Sequence, residues 1–286
     1  LFSFFWNAIL PQFEVITLFT LGRKRDRYSR IRLWGSIGFI LSVVIMGWLF
    51  DLIGIYLFPV SLLMIIAAIF LASWFTFYEP EVTIIEHENV SGLWQQLMKR
   101  DALLFFLACF LLQASHGAYY TYFSIFLESI GYEKAQIGWL WGLGVIAEVI
   151  LFVFMHRWFA RHSIKTIMLI SLMLTSIRWC LTAYYADVVW VLISSQCLHA
   201  LSFGSMHAAA IKFVHLNFNG QSQGRAQALY SSLSFGLGGA VGAFLSGLIV
   251  VTSNYEMTFM ASAVMAMLAM GFVTLFRSRL NITLHP

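Results

Sequence analysis

Long, unbroken runs of apolar residues constrain this chain more than any other feature of its sequence. Two examples are Ile40–Phe50 and Ser61–Phe77, which no charged side chain interrupts. A helix crosses the hydrocarbon core of a bilayer with about 20 such residues, whereas the strands of a membrane barrel alternate apolar and polar residues. With 60% hydrophobic and 10% charged residues, the chain could not cover a soluble core with polar groups. The sequence therefore predicts an all-α membrane protein and excludes a water-soluble enzyme or binding module.

The apolar runs divide into nine predicted spans, and the basic residues between them indicate their orientation. The spans are 1–21, 33–50, 56–77, 102–127, 137–155, 166–184, 189–211, 226–250 and 256–276. Alternate linkers hold fifteen of the 17 Lys and Arg residues, the opposite linkers hold Lys134, and Arg178 lies inside a span. Because Lys and Arg accumulate on the cytoplasmic side of a membrane, we expect the basic linkers and the C-terminus to be cytoplasmic.

An internal repeat indicates how the spans are organised. An offset of 200 residues places Gly38 and Gly47 on Gly238 and Gly247, and it overlays the second and third spans on the last two. Duplicated six-helix halves are a transporter architecture, so we expect a 6+6 bundle whose first half lacks three spans here. A complete nine-span protein is the alternative. The predicted domains are the remainder of an N-terminal half (1–77), a central cytoplasmic loop (78–101) and a C-terminal six-helix half (102–286).

Four ionisable side chains fall near the middle of predicted spans. They are Glu148, Arg178, His199 and His116. A charged side chain there costs about 2.5–3.5 kcal/mol to insert and is a functional candidate by default. Since Glu148 and Arg178 lie at similar depth on consecutive spans, we expect them to face the interior and neutralise each other. The pair is either a structural ion pair or a proton and substrate site, because arginine keeps its charge while a buried glutamate can titrate near neutral pH.

The histidines and one further carboxylate leave alternatives open. His116 is either a core histidine or part of the site. His199 and His207 lie eight residues apart on one helix face, a spacing that also allows metal or haem ligation, although no carboxylate stands at ligand spacing. Glu14 follows Pro11, and it is either a carboxylate facing a cavity or an acid at a helix end. We expect no metal site, and a membrane haem or redox protein stays a distant alternative.

Five stretches of the chain resemble a known transporter family. They are RLWGSIGF (32–39), LLQASHGAYY (111–120), GWLWGLGVIAEV (138–149), IRW (177–179) and LHA (198–200). On these residues the chain is similar to the 3-phenylpropionic acid transporters of the major facilitator superfamily, in the branch near the oligosaccharide:proton symporters. The resemblance covers essentially the whole chain, from the fourth to the twelfth family helix. It implies a twelve-helix, alternating-access 6+6 bundle with about nine helices present here.

The resemblance also implies roles for three intramembrane residues. Glu148, Arg178 and His199 match the family's Glu, Arg and His on its eighth, ninth and tenth helices, and they look like the coupling residues of lactose permease. That permease has a carboxylate one turn after the histidine, where this chain has Ser202. This departure leaves Glu148 as the leading candidate for carrying the coupled proton.

The favoured function is proton-coupled uptake of a small organic solute across a bacterial inner membrane. The resemblance implies an aromatic carboxylate such as 3-phenylpropionate, and a proton symporter for a sugar, an oligosaccharide or a nucleoside is the alternative. The predicted substrate-binding residues are Arg178, His116, Gln113, Tyr119, Tyr120, Trp141 and Glu14. We expect a transporter rather than an enzyme, with no cofactor beyond the proton gradient and no nucleic-acid partner. We also expect a monomer surrounded by membrane lipid.

Overall fold

The regular elements of the described residues are all helical. The computed structural model describes residues 28–75, 91–218 and 221–277. The α-helices are α1 Tyr28–Leu52, α2 Phe58–Trp74, α3 Ser91–Leu97, α4 Arg100–Ser115, α5 Gly117–Ser129, α6 Lys134–Arg161, α7 Ile164–Tyr185, α8 Val189–His199, α9 Ser205–Asn217, α10 Gln221–Ser231, α11 Gly239–Thr252 and α12 Tyr255–Thr274. A 3₁₀ turn lies at Ile55–Leu57, and π-helical turns lie at Ala200–Gly204 and Ser232–Gly238.

Among the described residues, eight stretches of helix are long and apolar enough to cross a bilayer, and they coincide with eight of the nine predicted spans. The remaining prediction, span 1–21, lies outside the described residues. The predicted span 102–127 is two helices, α4 and α5, separated by His116. Two other predicted spans, 189–211 and 226–250, each contain a π-helical turn. The chain is a multi-pass membrane protein, as the apolar runs predict.

The helices belong to two compact units. Of the described residues, the first unit comprises 28–75 and Glu133–Trp139, and the second comprises 91–132, 140–218 and 221–277. The predicted division of the chain into two six-helix halves around 78–101 stays a prediction.

In the first unit, α1 closely approaches the start of α6. A Cβ atom at Gly47 would lie 2.5 Å from the Lys134 carbonyl oxygen, so a larger residue there would force the two helices apart. The Asp51 carboxylate accepts hydrogen bonds from the backbone N–H groups of Lys134, at 2.9 Å, and Ala135, at 2.6 Å. This carboxylate therefore caps the N-terminus of α6 and complements the positive end of its dipole.

In the second unit, α12 packs along both α7 and α4. The buried face of α12 is built of small residues such as Ala263 and Ala266, which allow close packing between membrane helices. Phe105 of α4 stacks on Phe213 of α9 with 4.1 Å between the ring centroids. These contacts fix α4 and α7, which carry the predicted site residues Gln113 and Arg178.

The glycines of α11 bring its backbone against the junction of α4 and α5. A Cβ atom at Gly242 would overlap the Ala114 carbonyl oxygen, and a Cβ atom at Gly117 would overlap the backbone of Gly242. Because Ala114 and Gly117 flank His116 in the sequence, this close approach holds the interruption between the two helices in place.

We expect Gly242→Ala to destabilise the protein by about 1–3 kcal/mol, the usual cost of overpacking a close contact. The clash is with backbone, which cannot rotate away as a flexible side chain can. Gly239→Ala is the matched control, because a Cβ atom there meets no described atom within 4 Å and alanine is the better helix former. Thermal unfolding of the purified protein in detergent compares the two variants. Equal melting temperatures would contradict the tight contact between α11 and α4.

Candidate functional site

His116 lies at the junction of α4 and α5, and its side chain is fully buried. Its Nδ1–H group donates to the Leu112 carbonyl oxygen at 2.9 Å. The Ser115 hydroxyl donates to the same oxygen at 2.6 Å, and the Trp179 indole N–H donates to the Ser115 Oγ at 3.3 Å. Such bonds from side chains to the backbone compete with regular helical pairing. They hold the imidazole ring in one orientation at the end of α4.

Arg178 of α7 has 0% of its surface exposed, and its guanidinium contacts α8 and two aromatic rings of the second unit. Its Nε–H donates to the Ser195 carbonyl oxygen at 3.1 Å, and its Nη1–H donates to the His199 Nδ1 at 3.0 Å. The guanidinium carbon lies 4.3 Å from the ring centroid of Tyr119 and 4.4 Å from that of Trp179. Aromatic faces attract cations at these distances, so the charge is held by α8 and by two rings.

Arg178, His199, Tyr119 and Trp179 form a buried cluster, and Gln196 joins this cluster through Tyr119. The Tyr119 hydroxyl donates to the Gln196 Oε1 at 2.8 Å, and both side chains are buried. A Cβ atom at Gly144 of α6 would lie 3.6 Å from the His199 ring and 3.7 Å from the Gln196 Oε1. The small residue at 144 therefore lets α6 pack directly on the face of α8 that carries the site.

Glu148 lies one turn after Gly144 on α6, and its side chain is half-buried. A Cβ atom at Gly204 would lie 3.0 Å from the Glu148 Cγ and 3.6 Å from its Oε1, so the carboxylate packs on the π-helical turn that follows His199. The hydrogen bonds of the Arg178 Nε and Nη1 go to Ser195 and His199. The structure thus brings Arg178 to His199, while the predicted pairing of Arg178 with Glu148 stays a prediction.

Trp141 extends the cluster with an aromatic surface. Its ring centroid lies 4.4 Å from that of Tyr119, and it stacks on Tyr120 at 6.3 Å with an interplanar angle of 18°. The Trp141 indole N–H donates to the Ser124 hydroxyl at 3.0 Å. Tyr120 is 48% exposed, so the aromatic surface continues from the buried cluster outward. Gln113, in the last turn of α4, is also buried.

Three buried polar atoms in this cluster have no hydrogen-bond partner among the described residues. They are the His116 Nε2, the Arg178 Nη2 and the Gln196 Nε2. Each such group costs about 1–3 kcal/mol if it stays unsatisfied, and more if it is charged. Buried polar groups in native proteins are nearly always paired, so three together mark the cluster as a candidate site of contact with a polar ligand.

The structure gathers most of the predicted site residues, and it adds others that the sequence analysis missed. Those gathered in the second unit are His116, Tyr119, Tyr120, Trp141, Arg178 and His199, with Gln113 and Glu148 close by. Glu14 lies outside the described residues. Gln196 was missed, although a polar residue three positions before His199 lies on the same helix face. Ser195 gave no signal, because its backbone carbonyl makes the contact with Arg178.

His207, whose pairing with His199 allowed metal or haem ligation, lies in a stack of rings. The Phe203 ring lies 5.1 Å from that of His199 and 6.3 Å from that of His207, and all three are nearly parallel. The His207 Nδ1 lies 3.0 Å from the Tyr230 hydroxyl. Among the residues that the structure describes, no three His, Cys, Asp or Glu side chains are grouped as a metal site would require.

Comparisons with known proteins agree with this architecture. The model of the MFS_1 like family matches residues 1–261. The chain is 28% identical over 243 residues to the probable 3-phenylpropionic acid transporter of Escherichia coli (strain K12), covering 82% of this chain and 62% of that protein. It is 27% identical over 241 residues to the maltose permease of Geobacillus stearothermophilus, covering 83% of this chain and 60% of the permease. The chain thus spans about three fifths of the length of these relatives.

A solved structure shows the same fold. The crystal structure of the nucleoside transporter NupG matches with a TM-score of 0.73 at 18% sequence identity, covering 92% of this chain and 71% of that chain. The identity is low, so this match concerns the fold alone.

Proposed function

Because the chain belongs to the MFS_1 like family, whose members are transporters, we propose that it carries out proton-coupled symport of a small organic anion. The proposed substrate is an aromatic carboxylate such as 3-phenylpropionate. The proposed location is the bacterial inner membrane, with the C-terminus in the cytoplasm as the distribution of Lys and Arg favours. The proposed working unit is a monomer driven by the proton gradient.

The observation that carries the proposal is the environment of Arg178. The guanidinium is fully buried, it donates to the Ser195 carbonyl and to His199, and its Nη2 has no hydrogen-bond partner among the described residues. Burying a charge is costly unless it is paired and hydrogen-bonded, and a substrate carboxylate accepting from Nη2 would supply a negative charge and the missing hydrogen bond. A small organic anion therefore fits this place better than a neutral solute.

The aromatic surface beside Arg178 supports a substrate that carries a ring. Tyr119 lies against the guanidinium, and Trp141 lies against Tyr119 and Tyr120. Aromatic pairs gain about 0.5–1.5 kcal/mol beyond the burial of their area. A phenyl group on this surface could place its carboxylate toward Arg178. The relative named as a probable 3-phenylpropionic acid transporter supports the same class of substrate.

Glu148 is the proposed carrier of the coupled proton. It packs on the turn that follows His199, and His199 accepts a hydrogen bond from Arg178. When Glu148 is protonated from the outside, it loses its negative charge, and the positive charge of Arg178 can pair with the anion. Proton and substrate then enter as a neutral pair. When Glu148 releases its proton to the less acidic cytoplasm, its negative charge competes with the bound anion. Since charges interact strongly in a low-dielectric interior, this competition favours release of the substrate.

A sugar or nucleoside symporter is the second candidate. Gln196 and His116 are buried, uncharged and incompletely hydrogen-bonded, and such groups also suit hydroxyl groups. The relatives include a maltose permease, and the fold matches a nucleoside transporter. The two candidates differ in what they require of Arg178, because a neutral solute brings no charge to it.

A counterflow experiment separates these candidates. The gene product that contains this chain is reconstituted into liposomes loaded with unlabelled ligand, and the entry of labelled ligand is followed. We expect counterflow of 3-phenylpropionate and little of 3-phenylpropanamide, which keeps the ring but loses the charge. Maltose and uridine serve as the neutral comparison. Counterflow of maltose or uridine without counterflow of any carboxylate would overturn the proposal and support the second candidate.

A further inference from the structure

The hydrogen-bond partners of His116 define which of its ring nitrogens carries the hydrogen. A carbonyl oxygen can only accept, so the Nδ1 that lies 2.9 Å from the Leu112 carbonyl oxygen is the donor. The Ser115 hydroxyl gives its own hydrogen to the same carbonyl, which leaves its oxygen able to accept as well. In its uncharged form, which burial beside the positive charge of Arg178 favours, the His116 ring therefore presents a lone pair at its buried Nε2.

The other unpartnered atoms have the opposite polarity. Arginine can only donate, so the Arg178 Nη2 presents N–H groups. The Gln196 Oε1 is occupied by the Tyr119 hydroxyl, which leaves its Nε2 as a donor.

These atoms lie within one small region of the second unit. The ring centroids of His116 and His199 are 6.2 Å apart, and Arg178 is bonded directly to His199. Both His116 and Gln196 are fully buried, with 0% of their surface exposed. A ligand that satisfies the whole cluster must offer acceptors to Arg178 and Gln196 and a donor to His116.

We propose that the substrate is a hydroxyl-bearing aromatic carboxylate and that His116 is the residue that selects for the hydroxyl group. This inference rests on the proposed function and narrows its substrate class. The carboxylate accepts from Arg178 and Gln196, while the hydroxyl hydrogen is donated to the His116 Nε2. An unsubstituted phenylpropionate would leave this buried acceptor unpaired. Sites built to hydrogen-bond a substrate hydroxyl discriminate strongly against analogues that lack it.

The test compares ligands that differ only in their ability to donate. Binding of 3-phenylpropionates with a hydroxyl or a fluoro substituent at the ortho, meta or para position is measured on the purified gene product. Fluorine is close in size to hydroxyl but has no hydrogen to donate. At one ring position we expect the hydroxyl compound to bind at least about tenfold more tightly, as the loss of one buried hydrogen bond implies. The methoxy compounds, which only accept, should follow the fluoro compounds.

His116→Phe then tests which residue reads the hydroxyl. The variant should bring the ratio of hydroxyl to fluoro affinity close to one, while affinity for the fluoro ligand is kept and reports an intact site. His207→Phe is the matched control, because His207 lies beside Tyr230 and outside the cluster, and it should leave the ratio as in the unmodified protein. If His116→Phe does not fold, the ratio in the unmodified protein still tests the substrate class.

The outcomes separate this inference from the proposed function. Equal affinities of the hydroxyl and fluoro ligands at all three positions, with carboxylates still bound, would overturn the inference and leave the proposed function standing. Failure of every carboxylate to bind would overturn the proposed function itself. A hydroxyl preference that survives in His116→Phe would show that another residue reads the hydroxyl group.

Discussion

Arg178→Gln should strongly weaken the affinity for carboxylate ligands. The substitution removes the buried positive charge and the Nη2 group that has no partner among the described residues. Truncating one partner of a buried, hydrogen-bonded charge pair typically costs about 2–5 kcal/mol, which is a loss of about 30-fold to several thousand-fold in affinity. Calorimetric titration of the purified gene product with 3-phenylpropionate measures this loss.

Two further variants separate charge from geometry. Arg178→Lys keeps the charge, but an ammonium group cannot reproduce the planar fork that reaches Ser195 and His199 together. We expect its carboxylate affinity to lie between those of Arg178→Gln and the unmodified protein. Arg157→Gln changes an exposed arginine and should leave binding unchanged. If Arg178→Gln keeps its melting temperature and still binds the carboxylate normally, the anion binds elsewhere.

The positions of the helices could be predicted because the apolar runs are long and the membrane imposes a minimum length on each span. The same runs correctly predicted that Arg178, His116 and His199 would lie inside spans. Their burial follows from the cost of exposing such groups to lipid, and the structure confirms it for all three.

The partners of these residues could not be predicted in the same way. Residues at equal depth meet only if both helices are rotated toward each other, and a sequence does not give that rotation. Arg178 bonds to His199 and to the backbone carbonyl of Ser195, and a backbone acceptor leaves no trace in the sequence. Their similar depth in the membrane predicted that Arg178, Glu148 and His199 converge; the contact of Arg178 with His199 is present, and the pairing of Arg178 with Glu148 stays a prediction.

The interruptions in the helices were also beyond the sequence analysis. No proline marks the end of α4, where His116 and Ser115 bond back to the Leu112 carbonyl and α11 packs against the junction. The π-helical turn Ala200–Gly204 likewise follows an ordinary apolar run. Such turns are frequent at functional sites, and here one carries Gly204, against which Glu148 packs. Tertiary contacts, rather than local propensity, create these features.

Glu148→Gln should separate exchange of substrate from its uphill accumulation. Glutamine resembles a permanently protonated glutamate in shape and in charge, so the substrate can still bind beside Arg178 and still cross the membrane. The variant has no proton to release in the cytoplasm, so a pH gradient no longer drives net uptake. In one-to-one symport, a gradient of one pH unit is worth about 1.4 kcal/mol, or about tenfold accumulation. We expect this accumulation to disappear while counterflow continues at a rate close to that of the unmodified protein.

Both measurements are made on the same proteoliposomes, so a difference in reconstitution affects them equally. Protein-free liposomes set the background, because a protonated aromatic acid crosses bilayers by itself. Glu133→Gln is the matched control, since Glu133 is exposed between α5 and α6 and should retain both activities. Accumulation of substrate by Glu148→Gln against its gradient would show that another group carries the proton. Loss of counterflow together with uphill uptake would show instead that Glu148 is needed for binding or for the conformational change, and the coupling role proposed for it would then be wrong.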